Sequence, residues 1–109
     1  EIDNEEAWYQ SCFSTVSLYF REIMINSKDN PLEWSQLMFE LEDAHEHLGN
    51  LIKEMKSDGR IDIEAYTIDI GHVYAHLNRA WNSRNFEGEM SESQWAEYRL
   101  FPNDLEPIA

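Results

Sequence analysis

The sequence predicts an all-α fold, an antiparallel helical bundle of three long helices plus one short C-terminal helix. Three observations predict it. Apolar residues recur at three- and four-residue spacing over three long segments. Polar or Pro- and Gly-containing breaks separate those segments. No stretch has the two-residue alternation of a half-buried strand. The 109 residues form one domain by size, 1–109. A hydrophobic share of 42%, with four tryptophans spread along the chain, is enough to bury a core.

The first helix is expected over residues 4–26. Glu5 and Glu6 suit its electropositive N-terminus, and Trp8, Cys12, Val16, Tyr19 and Ile23 follow helical spacing. The second is expected over 31–56. Asn30 is a good N-cap and Pro31 fits the first helical position. Trp34, Leu37, Leu41, Ala44, Leu48, Leu51 and Met55 then make a heptad seam, and Lys53 and Lys56 favour the C-terminal end. Asp58-Gly59 marks a turn. The third helix is expected over 62–83, with Ile63, Tyr66, Ile70, Val73, Leu77 and Ala80 facing the second across a short loop. Gly71-x-x-x-Ala75 on its other side has room for a further helix, because glycine inside a helix costs about 1 kcal/mol relative to alanine and calls for a packing reason. Ser91-x-x-Gln94 reads as a capping box for a fourth, short helix over 91–100. Pro102 stops it, and the tail 102–109 should be irregular.

The chain carries 22 acidic and 8 basic residues, a formal charge of −14. That surface repels nucleic acid and anionic membranes, so neither is an expected partner. It is complementary to a basic protein. No apolar run approaches the roughly 20 residues that span a bilayer. The single cysteine, Cys12, allows no intrachain disulfide and reads as a buried thiol. The composition fits a reducing compartment, and the expected location is cytoplasmic.

Three surfaces stand out. Phe39 points away from the seam and is ringed by Glu42, Asp43 and Glu46 at spacings of three, four and seven. An aromatic set among carboxylates is a candidate anchor for a basic partner, the ring packing and the acids orienting. Residues 7–20 contain no charge. On the opposite face of the first helix Ser11, Ser14, Leu18 and Ile25 form an uncharged stripe, a second candidate interface that would serve a homodimer. On the antiparallel hairpin, Glu40 and His47 share a flank with Asp69 and His76. Two imidazoles and a carboxylate can ligate a transition metal, which makes His47, Asp69 and His76 metal candidates, although solvated or salt-bridged histidines are the default and no metal is assigned. Glu42-x-x-His45 and Asp69-x-x-His72 have the spacing of the carboxylate-x-x-His repeat of di-iron bundles. By helical geometry, however, His45 lies near the seam while Glu42 does not, and Asp69 and His72 face outward.

No Gly-rich phosphate loop is present, and Cys12 has no histidine partner at a telling spacing. No cofactor is expected. The reading is a non-enzymatic acidic protein-binding module: an inhibitor, an immunity-type or regulatory protein, or a nucleic-acid mimic. The alternatives are a helical-bundle metalloprotein or enzyme using the histidine flank, and an oligomerisation domain using the first helix.

Overall fold

The computed structural model describes residues 25–109. The described chain contains three helices, α1 (Pro31–Asp58), α2 (Ile63–Asn82) and α3 (Glu92–Glu97), and no strand. The all-α class holds. Among the described residues there are two long helices and one short one, rather than three long and one short. Of the expected helix over 4–26, only Ile25 and Asn26 lie within the described residues, and neither is helical. The Asn26 side chain shapes the turn that follows. Its Oδ1 accepts from the backbone N–H of Lys28 at 3.0 Å and of Asp29 at 2.7 Å, closing a turn that competes with helix.

α1 follows at once. Pro31 opens it, and Asn30 occupies the N-cap position, although its side chain makes no capping bond. Gly59 ends the helix in the left-handed conformation at φ 69°, its N–H donating to Met55 O at 2.8 Å. Asp62 caps α2 by accepting from Ala65 N at 3.3 Å. α3 begins with the full capping box: Ser91 Oγ accepts from Gln94 N, and Gln94 Oε1 accepts from Ser91 N. It ends at Glu97, three residues before the expected boundary, and residues 101–109 contain no helix. No described helix is long and apolar enough to cross a membrane.

α1 and α2 pack as an antiparallel hairpin. The pairs run in opposite directions along the chain, His47 with His72 and Glu40 with His76 and Arg79. The packed face keeps part of the expected seam, Ala44 and Leu51 on α1 and Val73 and Ala80 on α2, but is turned away from Leu41, Leu48 and Leu77. On α1 the buried residues are Glu40, Ala44 and Leu51; on α2 they include Val73, His76, Arg79 and Ala80. Leu48 is 39% exposed and Leu77 41%. At about 100° per residue, Leu41 and Leu48 lie roughly 60–80° round the helix from the buried line. An ionic cluster of Glu40, His76 and Arg79 is buried between the two helices, and Ala44 and Ala80 are buried with it.

α2 is the central element. One face meets α1, and the opposite face holds the C-terminal segment. Asn78 Nδ2 donates to Arg99 O at 2.8 Å, and Asn82 Nδ2 donates to Tyr98 O and Leu100 O at 2.9 Å each. Trp81 Nε1 donates to Asp104 Oδ1 at 2.9 Å. Backbone carbonyls past the end of α3 therefore find partners in side-chain amides. Gly71 and Ala75 lie seven residues before Asn78 and Asn82 on this same face, but at Gly71 itself, among the described residues, an added Cβ would meet nothing within 4 Å.

Candidate functional site

Two sites flank Glu40, one on each side. The first is an open groove of about 310 Å³ between α1 and the strap leading into α3, lined by Phe39, Glu40, Glu89, Met90 and Trp95 among others. The strap is placed by Gly88, whose N–H donates to Glu33 Oε2 at 2.7 Å across the hairpin end. That bond holds the Glu33 carboxyl below its ordinary value. The Arg79 guanidinium lies 4.0 Å over the Trp95 ring and ties α3 to the hairpin. Phe39 is 63% exposed. Glu42 and Glu46 are exposed beside it, whereas Asp43 is half-buried and turned inward. Its Oδ2 lies 3.1 Å from His76 Nε2. Asp43 thus leaves the acidic ring expected round Phe39 and joins the second site.

That second site is the polar flank of the hairpin. His76 is 4% exposed. Its Nδ1 lies 2.6 Å from Glu40 Oε1, while Glu40 Oε2 accepts from Arg79 Nε at 3.0 Å. With Glu40 ionised, Nδ1 carries a proton and donates it to the carboxylate, and in the neutral tautomer that this bond selects the lone pair stands at Nε2. The longer approach of Arg79 Nη2 to Nδ1, 3.4 Å, is then a contact between two donors and adds no bond. Nε2 is buried without a hydrogen-bond partner among the described residues. Asp43 Oδ2 is close enough to bond but lies off the required direction.

Two more imidazoles complete the flank. The His47 and His72 rings lie 4.0 Å apart between centroids, and His72 lies 4.9 Å from His76. One nitrogen from each of the three comes within 4.8 Å of the others. Loss of water, and then the neighbouring His47 and His76, hold the His72 pKa below its ordinary value.

Of the metal candidates His47, Asp69 and His76, the structure brings two together. His47 and His76 come together, but His72 takes the place expected for Asp69. His72 is the residue level with His47 across the antiparallel pair, and Asp69 sits three residues, about 4.5 Å of helix rise, nearer the Gly59 turn. His72 does not simply face outward: the residue is exposed, yet its ring lies against His47. His45 is exposed and outside the cluster. The informative sequence signal was a spacing of four, not three. Asp43-x-x-x-His47 and His72-x-x-x-His76 each place two ligand-type side chains on one helix face, and the hairpin brings the two faces together. Of the uncharged stripe, Ser11, Ser14 and Leu18 lie outside the described residues, and Ile25 is half-buried.

No family model, curated protein or solved structure matches this chain. The functional argument therefore rests on the chemistry of the residues themselves.

Proposed function

We propose that the chain is an acidic binding module that engages a basic protein through the groove between Phe39 and Trp95. The observation that carries this reading is Phe39, a large ring 63% exposed beside an open groove, on a molecule of charge −14. An exposed aromatic next to a concavity is where binding energy concentrates, and the surrounding charge sets encounter rate and partner choice. A lysine or arginine of the partner fits the lining: its aliphatic stem packs on Phe39 and Met90, and its charge meets Glu89. Glu42 and Glu46 extend the acidic rim. The same charge opposes direct binding to nucleic acid and anionic membranes. An inhibitor, an immunity-type protein or a nucleic-acid mimic would work in this way, by occupying a basic surface without chemistry of its own.

The test is a photo-crosslinking amino acid placed at Phe39, with Lys53 on the same helix as the control position, in extract of the source cell. The reading expects one basic protein crosslinked from position 39 and not from 53, with the yield falling as salt rises. Crosslinking equally from both positions, an acidic partner, or yield indifferent to salt would contradict it.

A further inference from the structure

We infer that His47, His72 and His76, with Asp43 as a fourth ligand, form a binding site for a divalent first-row transition ion, zinc above the others, on the polar flank of the hairpin. The inference is independent of the groove and its partner.

His76 carries the argument furthest. Its Nε2 is buried and unpartnered, and a buried polar atom left so calls for an explanation. Facing it at 3.1 Å is an oxygen of Asp43. With the Nδ1 proton given to Glu40, these are two electron-pair donors turned on one another. Such a pair repels unless a cation lies between them. A proton on Nε2 would call for a hydrogen bond, and the direction to Asp43 is wrong for one. A metal ion makes no such demand, because it sits off the line joining its ligands.

The ligand set and spacing agree with this. Zinc takes nitrogen at about 2.0–2.1 Å in a tetrahedron, which puts neighbouring ligand atoms about 3.3 Å apart. The Asp43–His76 edge, 3.1 Å, already has that length, while the group of mutually close ligand atoms is the three imidazoles, so Asp43 joins it through His76. The three imidazole nitrogens, within 4.8 Å of each other, must close by about 1.5 Å to reach it. His47 is half-buried and His72 exposed, so both rings can turn, while His76 is fixed. Each helix contributes one pair at a spacing of four, the arrangement by which a single helix face presents two ligands to one ion.

The outer partners fit as well. Metal-bound histidines hand their other ring N–H to a carboxylate that fixes tautomer and orientation. Glu40 does this for His76 at 2.6 Å, and Arg79 in turn holds Glu40 at 3.0 Å. Glu40 and Asp43 supply two negative charges against the one positive charge of Arg79. With neutral imidazoles the flank is left negative by one, which favours a dication.

The experiment uses the full chain without an affinity tag, stripped of metal. Zinc is titrated in competition with a chromophoric chelator, and cobalt(II) serves as the spectroscopic probe. One equivalent should saturate the protein, and cobalt should give the intense visible bands of a four-coordinate site. His47→Ala and His72→Ala change accessible rings and should stay folded by circular dichroism, each weakening zinc by about tenfold or more. His45→Ala, on the same helix but outside the cluster, should bind zinc as the parent does. Glu40→Gln should weaken it by about 10–100-fold at unchanged stoichiometry. Absence of saturable one-equivalent binding overturns the inference and leaves a protonated histidine–carboxylate cluster. Unchanged affinity in His47→Ala and His72→Ala, or an equal loss in His45→Ala, overturns it too.

Discussion

Leu48 and Leu51 are one turn apart on α1 and have different surroundings. Leu51 is 4% exposed and Leu48 39%. A heptad pattern treats them alike, because it reports which residues share an apolar arc and not which part of that arc meets the neighbour. The energetic consequence is direct. Removing a fully buried leucine side chain costs about 2–5 kcal/mol, from lost transfer energy plus the cavity left behind. We expect Leu51→Ala to fall in that range by chemical denaturation, and Leu48→Ala to cost about 1 kcal/mol, since much of its side chain already meets water. Equal losses would mean that the leucine arc is covered after all. The outward direction of Phe39 was legible because every α1 seam residue lies on another arc. The role of Asp43 was not. It is three residues from Glu40 and four from His47, and the inward turn that a whole α-helix makes at Glu40 carries Asp43 with it.

At the scale of elements, start and stop signals were the most legible part of the sequence. Pro31, Gly59, Asp62 and the Ser91–Gln94 box act where local chemistry alone decides, and each stands at its helix end. What local chemistry could not show is how the C-terminal segment is fastened to α2, since that depends on residues about twenty positions apart. One fastening is sensitive to acid. Trp81 Nε1 donates to Asp104 Oδ1, and this bond, with smaller help from the Asp104 backbone N–H and then Arg84, holds the Asp104 carboxyl below its ordinary 3.8. A depressed folded-state pKa means that the stabilisation is complete above the unfolded value and is lost as pH falls through the folded one. The indole N–H signal of Trp81, followed by NMR, should therefore hold constant from neutral pH down to about 4 and move below it. In Asp104→Asn that acid-induced movement should vanish. A Trp81 signal that titrates identically in the variant would assign the transition to another group.

At the scale of the whole molecule, the hairpin buries, among the described residues, a charged centre beside a small apolar core. Glu40 lines the groove beside Phe39, orients His76 on the opposite flank, and neutralises Arg79, which in turn stacks on Trp95. Both candidate sites and the anchorage of α3 thus depend on one carboxylate. The net charge of −14 and the all-α class were plain in the sequence. The buried charges were not, because ionic residues are rarely core residues and nothing local marks the few that are. A buried ion pair has a distinctive energetic signature. Removing one partner strands the other charge away from water, at about 3–5 kcal/mol, while removing both leaves no stranded charge and only the His76 ring without its acceptor. The most direct measurement is therefore a double-mutant cycle on Glu40→Ala and Arg79→Ala by equilibrium denaturation. Each single variant should lose about 3–5 kcal/mol, and the double variant should lose distinctly less than their sum. Single losses under about 1 kcal/mol, or a double loss equal to the sum, would contradict a fold built around this pair.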